Sequence, residues 1–204
     1  TGIVLSQWVS SILFGMGAVY ATKLGFTVSQ VASFMGAMMA GGMILQWPIG
    51  KLSDMVDRRW VMGVSCLLAV AFALLISIES EASIKLYLLV FMFGGCALSL
   101  YTLVVAITND HLRPTEIVPA SGTIVLIAGL TSITGPITAV FWLQIFGLQS
   151  FFLLLAACLL LLGGISIWRV LTIEALPIEY KVQSTLQAAT APVGTVLHAE
   201  EEIA

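Results

Sequence analysis

The chain alternates between long apolar stretches and short polar connections. Six of the stretches match the length of about 20 mostly apolar residues that a membrane-spanning helix needs. They cover residues 3–22, 28–49, 60–78, 85–108, 117–145 and 150–170. Asp, Glu, Lys and Arg occur in these stretches only near the ends. Because the connections are short, the pattern predicts an all-α membrane protein, a six-helix transmembrane bundle in which consecutive helices run antiparallel.

Composition supports this class and excludes several others. Apolar residues make up 59% of the 204 residues and charged residues only 9%, whereas a soluble domain carries about 25% charged residues. We therefore expect membrane lipid around most of the surface. The net charge of −3 argues against a nucleic-acid surface. The spacing of Cys66, Cys96 and Cys158 fits neither a metal site nor a disulfide framework.

The chain divides into two predicted regions. Residues 1–171 hold the six apolar stretches, and residues 172–204 form a polar tail. The tail contains two prolines and three consecutive glutamates at 200–202, but too few large apolar residues for a core, so we expect it to be disordered. Since the chain starts at Thr1 and enters an apolar stretch at once, we expect a longer polypeptide whose front part precedes it.

The positions of Lys and Arg predict the orientation, because cytoplasmic connections carry the excess of positive charge. One side of the predicted bundle, including the tail, holds six basic residues: Lys51, Arg58, Arg59, Arg113, Arg169 and Lys181. The other side holds two, Lys23 and Lys85. Both chain ends are therefore expected in the cytoplasm. Aromatic residues then fall near the inner interface (Trp47, Trp60, Trp168) and nearer the outer one (Tyr20, Tyr87, Trp142).

The connection between the second and third stretches is the most charged part of the chain outside the tail. It is predicted as a short loop, Gly50-Lys-Leu-Ser-Asp-Met-Val-Asp-Arg-Arg59. The loop resembles the G-x-L-x-D-R-x-G-R-R/K pattern of the major facilitator superfamily, and the wider stretch from Ile44 looks like the equivalent loop of its YcaD-like bacterial transporters. The matching residues are Gly50, Leu52, Asp54, Arg58 and Arg59.

Two positions depart from that pattern. Met55 stands where the family has a base, which removes one charge and predicts a weaker electrostatic latch. Asp57 stands where the family has glycine. We expect this change to be tolerated, because Asp enters left-handed backbone conformations more easily than most residues.

The resemblance implies one half of a twelve-helix fold. The fourth stretch lacks the Arg that the N-terminal half carries there in an R-x-x-Q-G pattern, so the chain resembles the C-terminal six helices. The expected partner is then the N-terminal half of the same transporter, in a bacterial plasma (inner) membrane. Pro48 and Pro136 lie about 20 and 19 residues into the second and fifth stretches, which favours a repeat of three plus three helices with inverted topology.

Polar side chains at helical spacing mark candidate faces for a path through the membrane. The first stretch has Gln7, Ser10, Ser11 and Phe14 on one face. In the superfamily the helices equivalent to the first and fourth stretches line a central cavity, and the second and fifth flank it. The candidate substrate path comprises Gln7, Ser11, Phe14, Ser99, Tyr101, Thr102, Thr131 and Thr134. The alternative is that the Ser and Thr hydroxyls bond only to their own helix backbone.

Three functions follow as hypotheses. The first is secondary active transport of a small solute by alternating access, with the charged loop as a conformational switch that pairs with acids of the other half. The second is a membrane scaffold or sensor that transports nothing. The third, an intramembrane enzyme, is disfavoured because no His lies at depth to act as a base. No cofactor is expected, and the phosphate-binding glycine motif that direct ATP use needs is missing from the sequence.

Overall fold

The computed structural model describes residues 2–79, 81–110, 112 and 117–172. Within these ranges it contains six long helices, each long and apolar enough to cross a membrane. They are α1 (Gly2–Lys23), α2 (Val28–Met55), α3 (Arg58–Ser77), α4 (Ile84–Asn109), α5 (Ile117–Phe146) and α6 (Phe151–Thr172). The predicted six-helix bundle is confirmed. Apart from Thr172, the predicted polar tail lies outside the described residues, so its disorder stays a prediction.

The predicted loop between α2 and α3 is wrong in extent. Helix α2 continues through Pro48 to Met55, and the connection shrinks to Val56 and Asp57. Proline removes a single backbone N–H, and the ladder of α2 resumes below it, where the Val56 N–H still reaches the Leu52 carbonyl at 3.0 Å. In lipid an interrupted helix has no water to satisfy its freed groups, which favours continuing it.

Asp57 does not adopt the left-handed backbone expected of it. Its φ is −60° and its ψ is 118°, which is extended backbone, and its carboxylate accepts a hydrogen bond from the Arg59 N–H at 2.9 Å. Asp57 is therefore the N-cap of α3, where its negative charge also complements the helix dipole. Because the turn has only two residues, Asp57 already caps the next helix, and its backbone does not need the left-handed conformation that glycine favours.

The helix contacts follow the symmetry expected of two inverted three-helix repeats. The largest contacts pair α2 with α4, α3 with α6, α3 with α4, and α1 with α5. Exchanging α1–α3 with α4–α6 maps the α2–α4 pair onto the α5–α1 pair and the α3–α6 pair onto itself, whereas the α3–α4 pair has a weaker counterpart in α6–α1. Helices α4 and α6 bury the largest shares of their residues, whereas α2 and α5 bury the smallest.

Aromatic rings fill the core near the start of α6. Tyr20 stacks on Phe151 with ring centroids 4.9 Å apart and meets the edge of Phe152 at 5.2 Å, and Phe93 meets Phe152 at 5.4 Å. Tyr20 is only 2% exposed. Its ring therefore belongs to the helix-packing core, and the expectation that it settles in a lipid interface is wrong. The stacked and edge contacts outweigh an interfacial position for this side chain.

Candidate functional site

A cleft of about 400 Å³ lies between α1 and α5. Both helices contribute polar and apolar side chains to it. The lining residues are Gln7, Ser10, Ser11, Phe14, Gly15, Ser132 and Pro136. These α1 residues share one face because they are spaced by about one helical turn. The cleft therefore combines hydroxyl and carboxamide groups with one aromatic ring, as small-molecule sites commonly do.

Ser11 fastens the two walls of the cleft. Its hydroxyl lies 2.9 Å from the Trp8 carbonyl oxygen of its own helix and 3.0 Å from the Thr131 carbonyl oxygen of α5. The helices approach closely here because Gly135 has no side chain. A Cβ atom on Gly135 would lie 1.9 Å from the Ser11 hydroxyl oxygen. The Ser11 hydroxyl thus occupies the space that a side chain on Gly135 would need, which allows α1 and α5 to approach closely.

Pro136 shapes the cleft in two ways. Its ring packs against Gly15, where an added Cβ would lie 2.6 Å from the Pro136 Cγ. Its ring nitrogen carries no hydrogen, so the Ser132 carbonyl oxygen, four residues earlier, loses its normal donor in the helical ladder. Since Ser132 and Pro136 both line the cleft, the break in the ladder coincides with the site.

A charged cluster joins the ends of α2, α3 and α4. Arg58 Nη2 lies 2.9 Å from Asp54 Oδ1, and Arg58 Nε lies 3.1 Å from Asp110 Oδ2. The Nε group makes no aligned hydrogen bond, so the contact with Asp110 is an ion pair without directed geometry. Arg58 and Asp110 are about one-fifth exposed, while Asp54 is 65% exposed.

The cluster places each charge at an unfavourable helix end. Asp54 and Asp110 lie at the carboxyl ends of α2 and α4, and Arg58 lies in the first turn of α3. The dipole of each residue's own helix opposes its charge. Mutual pairing offsets that cost, so the three side chains stabilise the arrangement only while the three helix ends stay together.

Arg59 is held differently from Arg58. It is 9% exposed, and its backbone carbonyl accepts a buried hydrogen bond of 2.8 Å from the Ser166 hydroxyl of α6. The first turn of α3 is thus tied to α6 as well as to α2 and α4. Of the other predicted switch residues, Leu52 is 52% exposed, and a Cβ on Gly50 would meet nothing within 4 Å. Both leave α2 an open surface beside the cluster.

Comparison with known proteins identifies the family. A sequence model described as Major Facilitator Superfamily matches residues 1–197. The chain belongs to the major facilitator superfamily. It is 24% identical over 156 residues to an uncharacterised transporter of this type from Enterobacter sp. (strain 638). It is 22% identical over the same length to the uncharacterised transporter YcaD of Escherichia fergusonii, and 24% identical to YcaD of Shigella flexneri serotype 5b.

Each of these alignments covers 76% of the chain but only 40% of the relative. The chain therefore spans less than half the length of the curated relatives it matches. The resemblance to YcaD-like transporters, expected from the charged segment between α2 and α3, is confirmed by these relatives.

In this superfamily member the predicted path residues divide into two groups. Gln7, Ser11 and Phe14 lie together on the cleft, and Thr131 stands behind them, 6% exposed, with its carbonyl bound to Ser11. Thr134 is exposed on α5 and donates to the Leu130 carbonyl at 3.1 Å. The Thr131 and Thr134 hydroxyls donate to carbonyls of their own helix, as the simpler alternative predicted, whereas the Ser11 hydroxyl also reaches the Thr131 carbonyl of α5.

The three predicted residues of α4 are not brought to the cleft. Ser99 is 1% exposed and donates to the Gly95 carbonyl. Thr102 is exposed and donates to the Ser99 carbonyl at 2.8 Å, and Tyr101 is half-buried. Their place in a substrate path therefore stays a prediction that concerns a different surface from the cleft.

The sequence reading missed Gly15 and Ser132 as lining residues. A signal for Ser132 exists, because it stands four residues before Pro136 and so carries the carbonyl that proline leaves without a donor. Gly15 offers no comparable signal. Its role depends on which helix packs against it, and only the contact with Pro136 reveals that.

Proposed function

We propose that the chain is one six-helix half of a secondary transporter that moves a small solute by alternating access. The α1–α5 cleft supports this most directly, because it sets Gln7, Ser11 and Phe14 beside a proline-interrupted helix within the apolar bundle. The partner is the N-terminal half of the same transporter, which packs on the open surfaces of α2 and α5. The protein then acts in the bacterial inner membrane, with both ends cytoplasmic, and is not an enzyme.

The charged cluster serves as the switch in this proposal, with Arg58 paired to acids of its own half, Asp54 and Asp110, instead of the acids of the other half expected from the sequence. Breaking its pairs would leave Asp54, Arg58 and Asp110 at helix ends that disfavour their charges. Separating the cytoplasmic ends of α2, α3 and α4 therefore has a cost, which the second half or the solute must offset. A two-state equilibrium of this kind is what alternating access needs.

The test uses accessibility from both sides of the membrane and needs no identified solute. In the complete transporter, Cys66, Cys96 and Cys158 are replaced by alanine and Ser132→Cys is introduced as a reporter on the cleft. Vesicles of each orientation are treated with a membrane-impermeant maleimide. We expect labelling from both faces, because each state opens the cleft to one side.

Matched reporters make the result interpretable. Ala139→Cys, on the same helix at a position that is 0% exposed, should stay unlabelled. Leu52→Cys, exposed at the proposed cytoplasmic end, should react from that face alone. Arg58→Ala should increase labelling of Ser132→Cys from the cytoplasmic face, since it weakens the contacts that hold that end together. Labelling of Ser132→Cys from one face only would instead favour the scaffold or sensor alternative.

A further inference from the structure

The geometry points to a solute that binds in the α1–α5 cleft by donating hydrogen bonds from N–H groups. The solute class that fits is a small organic ammonium ion with an apolar portion. This inference rests on the proposed function, because it takes the cleft as the solute path. It concerns the chemistry of the lining, in which hydrogen-bond acceptors outnumber available donors. Four features carry it: the committed hydroxyl hydrogens, the freed carbonyl, the Gln7 carboxamide and the Phe14 ring.

The serine hydroxyls of the lining have already committed their hydrogens. Ser10 donates to the Ser6 carbonyl at 3.1 Å, and Ser132 donates to the Ala128 carbonyl at 2.8 Å. Ser11 has one hydroxyl hydrogen, and its two possible acceptors are both backbone carbonyl oxygens, those of Trp8 and Thr131. In either case the hydrogen is donated to a carbonyl. A hydroxyl that has donated still has oxygen lone pairs. Towards a ligand, these three groups therefore act as acceptors.

The Ser132 carbonyl adds a further acceptor. Helical carbonyls are normally engaged by the N–H four residues later, and at Ser132 that residue is Pro136. A helical carbonyl that lacks its usual N–H partner gains free energy when another donor reaches it. A ligand N–H can supply such a donor. The hydrogen bond that it makes to the Ser132 carbonyl oxygen then contributes to the binding free energy.

Gln7 and Phe14 define the remainder of the ligand. Among the described residues that line the cleft, Gln7 alone carries side-chain N–H groups, and its carboxamide oxygen also accepts hydrogen bonds. Phe14, 47% exposed, offers an apolar wall and a ring face that attracts cations. The lining contains neither Lys nor Arg, so an anion would meet oxygen lone pairs with no compensating charge.

An ammonium fits this lining better than an alcohol. Ammonium groups donate several hydrogen bonds and accept none, whereas a hydroxyl donates one and brings lone pairs of its own. The opposing term is the desolvation of a full charge without a described acid beside it. We therefore expect modest affinity and a charge that stays on the open side of the cleft.

Four compounds of matched skeleton separate the contributions. They are 2-phenylethylamine, its N,N,N-trimethyl derivative, 2-phenylethanol and 3-phenylpropionate, titrated by calorimetry into the purified complete transporter. We expect the amine to bind most tightly, the trimethyl cation and the alcohol more weakly, and the carboxylate not at all. Pro136→Ala returns an N–H to the Ser132 carbonyl and should weaken amine binding roughly tenfold. Pro48→Ala, outside the cleft on α2, should leave it unchanged.

Several results would overturn the inference. Equal affinity of the trimethyl cation and the amine would show that charge, not N–H donation, decides binding. Binding of the carboxylate at least as tight as that of the amine, or no binding of the amine, would also reject it. If Pro136→Ala does not fold, Ser10→Ala removes one acceptor oxygen and should weaken amine binding about threefold. Two-sided labelling of Ser132→Cys with failed amine binding would reject this inference and leave the transport proposal standing.

Discussion

The α2–α4 and α1–α5 crossings occupy equivalent places in the two inverted repeats, but different atoms meet there. At the α2–α4 crossing, two glycines face backbone: an added Cβ on Gly41 would lie 1.8 Å from the Phe91 carbonyl oxygen, and one on Gly94 would lie 2.2 Å from that of Met38, while Gly42 and Gly95 there face leucine side chains. At the α1–α5 crossing, an added Cβ on Gly135 or Gly15 would first meet a side chain, Ser11 or Pro136.

The difference shows how equivalent crossings in one architecture can form a tightly packed contact in one place and a cleft in the other. Backbone atoms cannot rotate out of the way, so the α2–α4 contact has a single close-packed arrangement. Side chains at the α1–α5 contact leave room beside them, and the cleft lies there. We infer that the first crossing carries stability and that the second is the more adaptable of the two.

The largest expected effect of a substitution on stability is at the α2–α4 crossing. Gly41→Ala must displace the α4 backbone, and we expect it to lower the free energy of unfolding by about 3 kcal/mol or more. Thermal unfolding in detergent, followed by size-exclusion chromatography, measures the loss. Gly164→Ala, on α6, is the control, since its Cβ would meet nothing within 4 Å and the partner is not proposed to pack on that helix. It should be neutral or stabilising by up to about 1 kcal/mol.

A smaller effect on stability is expected at the α1–α5 crossing. Gly135→Ala forces the Ser11 hydroxyl away from the Thr131 carbonyl and should cost about 1 kcal/mol. Adding Ser11→Ala removes the obstructing oxygen and leaves the Ser11 Cβ 3.2 Å from the new methyl group. The double variant should therefore lose less stability than the two single losses added together. Strict additivity would mean that Ser11 does not set the spacing of α1 and α5.

The smallest effects are expected in the charged cluster that ties α4 to α2 and α3. Asp110→Asn removes a pair that is about one-fifth exposed on both sides and should cost about 0.7 kcal/mol. Asp54→Asn removes a pair whose acid is 65% exposed and should cost less than about 0.5 kcal/mol. Thermal stability at low and high salt measures both. A larger loss for Asp54→Asn would contradict this ranking.

Particular residues show which parts of the site were predictable. Gln7, Ser11 and Phe14 could be grouped from the sequence because residues on one helix share a face by periodicity alone. Placing Ser99, Tyr101 and Thr102 against the same space required knowing which face α4 turns towards α2. Helical spacing does not contain that information. The extent of α2 beyond Pro48 was likewise missed, because local proline rules ignore the advantage of an unbroken helix in lipid.

The sequence by itself determined the six apolar helices, their short connections and the charged segment that marks the family. Each of these depends on local composition and on the length of a membrane crossing. Only the tertiary structure decided that Gly41 meets a backbone while Gly135 meets a hydroxyl, and that Arg58 bridges acids of two helices. The reason is that contacts between helices depend on crossing geometry and rotation about each helix axis, which are set by all six helices packing together.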